Sequence, residues 1–479
     1  MTKPRMRGLA AAISTACLLQ ACAISDISMR EADVALPQTF REDTAAVSSA
    51  ATLDWAEFFE DPQLAALIDS ALTGNKEVAM LLQRVARAAN EVEARRGEYL
   101  PFVDIGAAAD TEKVGRFTRN GAIEEQLLIN EEEHEAFPDP LPNLEVGVQA
   151  SWELDVWRKL RNSTKVAALE YMASIEGRNL VVTSLVAEVA NSYFELLALD
   201  NQLQNLDQNL AIQRNALEVT RELLNFGRTT SLAVTRFEAE VSKNEGERYA
   251  IQQEIVATEN RLNLLLGRTP QPIARATVNI MTLEPRVIDT GIPSELLANR
   301  PDIRQAELEL QAAELDISVA RANFYPSFAI RVGVGFEAFD QRYLLDTPAS
   351  LAYSLSGDVV APLLNRRAIA AQYRNATAAQ VEAAYEYEQT ILGAFSEVST
   401  RIAELDNLAR NYERKSNQVE ALNASVDVAN QLFTSARADY LEVLLAQREA
   451  LEARSELIET RQQQLSAMVN LYRALGGGW

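Results

Sequence analysis

Histidine and cysteine are almost absent from this sequence. Its 479 residues include one histidine, His134, and two cysteines. Zinc sites draw mainly on these two residue types, and a nucleophilic triad needs a histidine as its base. A Cys/His metal cluster therefore cannot be built. Carboxylates are abundant, but in so acidic a chain we expect them on solvated helix faces. The sequence predicts a protein that is not an enzyme and needs no cofactor or metal.

Positive charge is also scarce. The chain has 45 Lys and Arg against 68 Asp and Glu, a formal net charge of −23. Such a surface repels the phosphates of nucleic acids, so a nucleic-acid partner is not expected. Cys17 lies in a segment that we expect to be removed, and Cys22 is the candidate for lipid attachment described next. No disulfide is therefore expected.

Long apolar runs are missing beyond the first residues. Lys3, Arg5 and Arg7 precede a short apolar run over 8–19, which is typical of a secretory signal. The segment Leu19-Gln-Ala-Cys22 resembles the bacterial lipobox, which implies cleavage before Cys22 and acylation of its thiol. Ala23 follows, which by the enterobacterial sorting rule implies outer-membrane delivery. The alternative is an ordinary signal peptide with a chance cysteine. Elsewhere no segment of about 18 apolar residues is expected to form a spanning helix.

What the chain does contain is a long internal repeat. A shift of 209 residues places 188–267 on 397–476 without a gap, and a shift of 225 relates earlier parts of the two copies. The length indicates a duplicated domain-sized element rather than a short solenoid unit. We divide the chain into a signal peptide (1–21), a lipid-anchored N-terminal segment (22–63), a first repeat (64–267), a linker (268–298), a second repeat (299–476) and a tail (477–479).

Most of each repeat is predicted to be helical. Apolar residues step by three and four along the first copy, at Leu196, Leu199, Leu203, Leu206 and Leu210. This spacing favours left-handed coiled-coil packing. The run from Arg158 to Phe226 contains one glycine and no proline. At ~1.5 Å per residue a helix of that length is roughly 100 Å long, which suits an element that crosses a compartment.

Four segments instead alternate apolar and polar residues. They lie at about 102–110, 144–156, 328–338 and 351–359. Segments of ~10 residues with one apolar face are typical of transmembrane β-strands. We expect one hairpin per repeat, the first closed by a long polar external loop over 111–143. Four strands cannot close a barrel, and open edges cannot face lipid. The chain is therefore expected to oligomerise, a trimer giving twelve strands and a dimer eight. A soluble periplasmic protein with two ordinary hairpins is the alternative.

Several motifs resemble those of TolC-type outer-membrane efflux channels, in particular the lipoprotein branch typified by OprM. They are Asn299-Arg-Pro-Asp-Ile-Arg-Gln-Ala-Glu307, Ala320-Arg-Ala-Asn-Phe-Tyr-Pro-Ser327, Tyr440-Leu-Glu-Val-Leu-Leu-Ala-Gln-Arg448 and Leu471-Tyr-Arg-Ala-Leu-Gly-Gly-Gly-Trp479. The resemblance covers nearly the whole mature chain. One departure is Asn365-Arg-Arg367, where the family often has glycines.

The resemblance implies a mainly α fold with a small membrane β-barrel. Three identical chains would form a 12-stranded barrel in the outer membrane, continuous with a long α-helical tunnel in the periplasm. The implied function is passive conduction of small molecules in a tripartite efflux system. The implied partners are a periplasmic adaptor, an inner-membrane pump of the RND type and outer-membrane lipid. The alternatives are a conduit of type I protein secretion and a lipid-anchored structural protein of the envelope.

The resemblance also places an adaptor-docking site at two helix-to-helix turns. The candidate residues are Gly227, Arg228, Thr229 and Thr230 in the first copy, and Ala436, Arg437 and Ala438 in the second. Arg228 and Arg437 are equivalent under the 209-residue shift. The alternative for each arginine is helix capping.

The second turn is the candidate gate. Asp439 and Glu442 are acidic, whereas the equivalent residues of the first copy are Thr230 and Ala233. Threefold symmetry would make Glu442 a ring of three carboxylates that attract cations. Leu445 stands where relatives often carry aspartate, which implies an apolar constriction beside one acidic ring. The alternative is a solvated acid at a helix end.

Overall fold

The computed structural model describes residues 29–40, 49–130, 135–136, 138–362, 366–435, 437–438 and 440–479. Three predicted site residues, Cys22, Ala436 and Asp439, lie outside the described residues, as does His134. The chain forms two compact units. The first contains Met1–Glu31, Arg87–Tyr171 and Glu309–Ala384, and the second contains Ala32–Ala86, Met172–Leu308 and Tyr385–Trp479. Each unit therefore takes segments from both sequence repeats.

Ten α-helices and six strands lie in the described residues. The helices are α1 Trp55–Phe59, α2 Pro62–Gly74, α3 Lys76–Glu98, α4 Arg119–Glu124, α5 Lys159–Asn225, α6 Ser231–Leu265, α7 Leu296–Asn299, α8 Pro301–Ala322, α9 Arg367–Thr434 and α10 Tyr440–Ala474. The strands are β1 Phe102–Glu112, β2 Leu128–Asn130, β3 Glu135–Ala136, β4 Leu141–Leu154, β5 Ser327–Ala338 and β6 Leu351–Val360.

The first unit contains a four-stranded antiparallel sheet in the order β1-β4-β5-β6. This confirms the four predicted strands and their pairing as one hairpin per repeat. A further pairing of β4 with β5 joins the two hairpins. Ile105, Val148, Val334 and Tyr353 share one register row. The side chains of Ile105 and Tyr353 are 82% and 83% exposed, so the apolar face of the sheet is uncovered within one chain.

The segment between the first two long strands is more ordered than predicted. Sequence reasoning gave 111–143 as a long polar loop, but the segment contains α4 and the short ribbon of β2 and β3. The hydroxyl of Thr118 accepts a hydrogen bond from the amide of Gly121 and so starts α4. This cap depends on a single local contact, which carries no periodic signal in the sequence.

Glycine is required where β4 and β5 approach closely. Gly147 pairs with Gly335 in the register. A Cβ atom on Gly335 would lie 2.5 Å from the carbonyl oxygen of Val146 and 2.7 Å from the Cα of Gly147. Backbone atoms cannot move aside as a side chain can, so a larger residue at this position is incompatible with the sheet.

The second unit holds a large apolar core around the α5 segment that follows Met172. Tyr193 and Ile68 are fully buried there, and the ring of Phe58 stacks on that of Tyr472 with centroids 4.0 Å apart. The hydroxyl of Tyr193 donates to Asp61 at 2.9 Å, and that of Tyr472 donates to the carbonyl of Leu53 at 2.6 Å. Burial raises the pKa of both phenols, so they remain protonated donors.

A half-buried arginine, Arg275, and a buried one, Arg300, form ion pairs in the irregular segments of the second unit. Arg275, in the linker between the repeats, pairs with Asp200 and Glu259, each at 2.5 Å. Hydrogen bonds from Arg275 to Asp200 are the main cause of its raised pKa. Arg300 pairs with Asp302 at 2.7 Å and Glu397 at 2.9 Å. These contacts explain how a segment without regular helices keeps one conformation.

One helix contains an apolar window that the sequence did not single out. Helix α5 contains an 18-residue window with mean hydropathy 1.4, which by length and composition could span a membrane. Sixty-seven per cent of that window is buried inside the protein, as in the core helix of a soluble domain. The window contains no continuous apolar run, because small and polar residues lie between its apolar ones. Only the mean hydropathy over 18 residues reveals it.

Candidate functional site

The helices that precede the two helix-to-helix turns of the second unit end with the same backbone hydrogen bond. The amide of Arg228 donates to the carbonyl of Leu223 at 2.8 Å, and the amide of Arg437 donates to that of Leu432 at 2.8 Å. In the first turn, Gly227 has φ +70° and its amide donates to the carbonyl of Leu224. This is a Schellman ending, in which glycine provides the left-handed residue.

The two equivalent arginines cap helices through their backbones and not their side chains. Arg228 and Arg437 are both exposed. Within the described residues, neither guanidinium forms a hydrogen bond or an ion pair. Thr230 is exposed as well, and Thr229 and Ala438 are half-buried. Helix capping therefore explains the backbone position of each arginine. It does not explain the guanidinium, which has no partner within the described residues of one chain.

Tyr440 brings the two turns together. It is the first residue of α10, only 6% exposed, and its ring centroid lies 4.1 Å from that of Phe237 on α6. The ring of Phe433, at the end of α9, meets it edge-on at 5.4 Å. Burial raises the pKa of the Tyr440 hydroxyl. Sequence reasoning noted Tyr440 only as part of a motif, because its equivalent in the first copy is Ser231 and the repeat gives no signal for the contact.

The candidate gate residues lie on the exposed side of α10. Glu442 is exposed in the first turn of the helix, and Leu445 is 37% exposed one turn later. Val443, Leu444 and Gln447 are buried on the other side. Residues three apart lie on one helix face, so Glu442 and Leu445 face away from the protomer together. Within the described residues Glu442 has no ion-pair partner.

The first helical hairpin, α5 with α6, is tied across its length by ion pairs. Arg221 pairs with Glu238 at 2.8 Å, Arg214 with Glu245 at 2.5 Å, Arg248 with Asp207 at 2.8 Å, and Arg261 with Glu195. Exposed pairs contribute only about 0.2–1 kcal/mol each. Four along one hairpin nevertheless fix the register of its helices. Asn244 adds a buried hydrogen bond to Gln213 at 2.8 Å.

Within the described residues, the second hairpin, α9 with α10, lacks the equivalents of these four ion pairs. A shift of 209 residues replaces the four charged pairs by Asn430 with Gln447, Asn423 with Arg454, Ser416 with Leu457, and Glu404 with Asn470. Arg454 reaches Asn423 at 3.4 Å, and one ion pair joins Lys415 to Glu456 at 3.1 Å. Comparing charges as well as apolar residues between the two copies would have revealed this asymmetry from sequence alone.

The described residues contain no group of three or more His, Cys, Asp or Glu side chains arranged to hold a metal ion. What the two turns offer is charge and surface: two exposed guanidiniums, an exposed carboxylate and a neighbouring apolar side chain. Such groups supply charge and a contact surface.

Comparison with known proteins gives consistent matches over nearly the whole chain. Residues 67–268 and 292–477 match the family model described as outer membrane efflux protein. The chain is 26% identical over 471 residues to the probable outer membrane lipoprotein SilC of Salmonella typhimurium, covering 98% of both chains. It is 29% identical over 425 residues to the pyoverdine export outer membrane protein OpmQ of Pseudomonas putida, covering 89% of this chain and 88% of that protein.

A solved structure of CusC, studied for its folding and transmembrane channel formation, superposes with a TM-score of 0.81 at 26% identity. The match covers 95% of this chain and 99% of the CusC chain. The arrangement of strands and long helices described above is therefore the one found in that channel protein.

Proposed function

Since this chain belongs to the outer membrane efflux protein family, we propose that three copies form the outer-membrane channel of a tripartite efflux system. The channel conducts small molecules passively from an inner-membrane pump of the RND type and a periplasmic adaptor to the exterior. The protein resides in the outer membrane, and its helical part lies in the periplasm. The driving energy comes from the pump, because this chain offers only surfaces and charges.

The four-stranded sheet is the main observation that supports a trimeric channel. Within the described part of the chain, its two edge strands, β1 and β6, each have one side without a partner strand, and its apolar face is exposed. In lipid an unpaired strand edge leaves amide and carbonyl groups unsatisfied, at several kcal/mol each (~2–7 kcal/mol). Pairing β1 of one copy with β6 of the next satisfies both edges. Three copies give twelve strands, enough to enclose a channel.

The proposal is tested by purifying the protein in detergent and reconstituting it in planar bilayers. We expect heat-stable trimers by cross-linking and discrete ion conductance. Monomers without conductance would refute the channel and favour a lipid-anchored structural protein. A chain with Gly335 replaced by Ala is a suitable negative control, because the new Cβ disrupts the pairing of β4 with β5.

Small molecules are the cargo that the relatives favour. OpmQ is named for pyoverdine export, and CusC of Escherichia coli for cation efflux. These names support efflux over a conduit for type I protein secretion. Deleting the gene and measuring the accumulation of metal ions, siderophores and organic solvents would identify the cargo class. Loss of a secreted protein alone would favour the secretion conduit.

The gate is proposed at the start of α10. In a threefold assembly Glu442 forms a ring of carboxylates, and Leu445 forms an apolar ring one turn farther along the helix. Their exposure on one helix face supports this assignment, as does the absence of an ion-pair partner for Glu442 within the described residues. Asp439 belongs to the same proposal by sequence. The second hairpin is the mobile one, because it lacks the cross-helix ion pairs of the first.

The adaptor is proposed to dock at the two turns. Arg228 and Arg437 are exposed at equivalent backbone positions and without carboxylate partners within the described residues. Gly227, Thr229, Thr230, Ala436 and Ala438 complete the docking surface. Unpaired guanidiniums suit backbone carbonyls or acidic residues of an adaptor tip.

The lipid anchor is proposed at Cys22, and chain length supports it. The amide of Arg30 donates to the side chain of Gln380 at 3.0 Å, and that side chain donates back to the carbonyl of Arg30 at 2.7 Å. Gln380 lies thirteen residues after the start of α9, about 20 Å along the helix. The eight residues from Cys22 to Arg30 can span about 26 Å. The acyl chains can therefore reach the membrane surface near the sheet.

A further inference from the structure

Two segments of the first unit carry cations without any acid. Residues 156–169 follow β4, and residues 359–381 begin with the last two residues of β6. In a chain of net charge −23 such stretches stand out. We name their seven cations the basic collar: Arg158, Lys159, Arg161, Lys165, Arg366, Arg367 and Arg374.

Four of the seven cations are exposed and have no ion-pair partner within the described residues. Lys159 pairs with Glu153 at 3.5 Å, and Arg161 pairs with Asp155 at 3.0 Å. The other exposed members have no ion-pair partner within the described residues, and of their side chains only that of Arg374 donates a hydrogen bond, to the carbonyl of Ala370. These uncompensated members are Arg158, Lys165, Arg367 and Arg374.

Helix stability does not explain their position. The first turns of α5 and α9 contain no acidic residue. Cations near the start of a helix oppose its dipole, typically by about 0.3–1 kcal/mol each. The same unfavourable arrangement follows the second strand of both hairpins, so it occurs once in each repeat. A requirement outside the helices explains why both copies have it.

Aromatic contacts place the collar beside the apolar face of the sheet. Trp152 alternates with Val148 and Ala150 on that face, and its indole donates to the carbonyl of Tyr99 at 3.0 Å. The guanidinium of Arg161 lies 5.8 Å from the Tyr99 ring centroid. The collar on α5 therefore lies at the end of the face that meets lipid.

A second tryptophan lies at the same junction. Trp157 is 41% exposed, stacks on Tyr325 at 4.6 Å and donates to the carbonyl of Pro326 at 2.7 Å. Both rings line a cavity of about 530 Å³ that Val360 and Ile369 also border. Tryptophan and tyrosine concentrate where the apolar core of a membrane meets its headgroups. Cations at that depth lie level with the lipid phosphates.

We propose that the basic collar binds phosphodiester headgroups of glycerophospholipids in the periplasmic leaflet of the outer membrane. The inference rests on the proposed function, since it requires the sheet to lie in lipid. Beyond the channel function, the inference assigns a lipid-binding surface, the residues that form this surface and the class of lipid that it binds. The four uncompensated cations bind the phosphates, and the half-exposed tryptophans lie against the glycerol region and upper acyl chains.

The test uses fluorescence quenching in reconstituted vesicles. Brominated acyl chains quench tryptophans close to the bilayer, here Trp152 and Trp157. Protein is reconstituted with dibrominated phosphatidylglycerol or with a dibrominated galactolipid that has no phosphate, each diluted into unlabelled phosphatidylcholine. The ratio of the two association constants measures preference for the phosphate headgroup.

The variant replaces Arg158, Lys165, Arg367 and Arg374 by Gln. Each cation near a phosphate surface contributes about fivefold, so we expect the ratio to fall by at least about tenfold. The matched control replaces four exposed cations of the second unit, Arg236, Arg410, Arg414 and Arg448, and should keep the native ratio. Changing Arg158, Arg367 and Arg374 to Lys should also keep it.

An unchanged ratio in the Gln variant overturns the proposal, as does an equal fall in the control. Inorganic phosphate at about tenfold excess over phosphatidylglycerol distinguishes a lipid surface from a free-anion site; full displacement of the lipid by phosphate also overturns the proposal. Ion conductance is recorded from the same vesicles. If the native protein fails to conduct, the channel function fails. If it conducts and the ratio does not change, only the lipid-binding proposal fails.

Discussion

The contact of Tyr440 with Phe237 links the two helical hairpins at their turns. Replacing Tyr440 by Ala removes a ring that is only 6% exposed and lies 4.1 Å from its partner. Truncating a buried aromatic residue costs about 3–5 kcal/mol, of which the ring pair contributes about 0.5–1.5 kcal/mol. We expect the second hairpin to separate from the first more readily, which opens the proposed gate.

Three protomers that open together multiply the effect. Even the lower value of ~0.5 kcal/mol per ring pair amounts to ~1.5 kcal/mol per trimer, about tenfold in the ratio of open to closed channels. The assay is single-channel recording in planar bilayers, with open probability as the readout. Trimer content is checked on the same samples by cross-linking, because a loss of assembly would also alter conductance.

Two control variants separate the ring contact from other losses. Tyr440→Phe keeps the ring and should keep the native open probability. Tyr412→Ala removes an aromatic ring that lies under Arg461 at 3.8 Å within the second hairpin, away from Phe237. We expect it to destabilise that hairpin without a tenfold opening. A native open probability in Tyr440→Ala trimers would refute the role of this contact in holding the gate closed.

Four further predictions concern the gate, the docking turns, the lipid anchor and the sheet. Glu442→Gln should weaken the cation selectivity of purified trimers in bilayers, and Asp439→Asn should do so less; unchanged selectivity in both would place the constriction elsewhere. Arg228→Glu with Arg437→Glu should abolish cross-linking to the adaptor while trimers remain, and normal cross-linking would exclude the turns as the docking site. Cys22→Ala should abolish palmitate labelling, whereas continued incorporation would assign the lipid to another residue. Gly335→Ala should reduce heat-stable trimers severalfold because its Cβ meets backbone at 2.5 Å, whereas Gly357→Ala, which meets nothing within 4 Å, should not.

The long-range pattern of the chain could be read from its sequence. A two-residue alternation predicted the four long strands, and the helix over Arg158 to Phe226 differs from α5 by one residue at each end. Both elements have strong periodic signals because one face of each is apolar along its length. Helix α4 and the ribbon of β2 and β3 were missed, since a six-residue helix and strands of three and two residues are too short for a period to appear.

Only part of the candidate site could be predicted from the sequence. The repeat located both turns and the equivalence of Arg228 with Arg437, which the two identical backbone hydrogen bonds then bear out. The contact between Tyr440 and Phe237 could not be predicted, because these residues are about two hundred positions apart and their equivalents in the other copy, Ser231 and Ala446, are not aromatic. The ion pairs of the first hairpin were not predicted either, since which charges meet depends on the register of two antiparallel helices.

The sequence by itself therefore determined the duplicated design and the kind of each long element. These properties depend on composition and on neighbours a few residues away. Only the tertiary structure decided which charges pair across each hairpin, that Tyr440 joins the two turns, and that cations beside Trp152 and Trp157 lie at one end of the sheet. Those facts depend on distances between residues far apart in the chain, which a linear pattern does not contain.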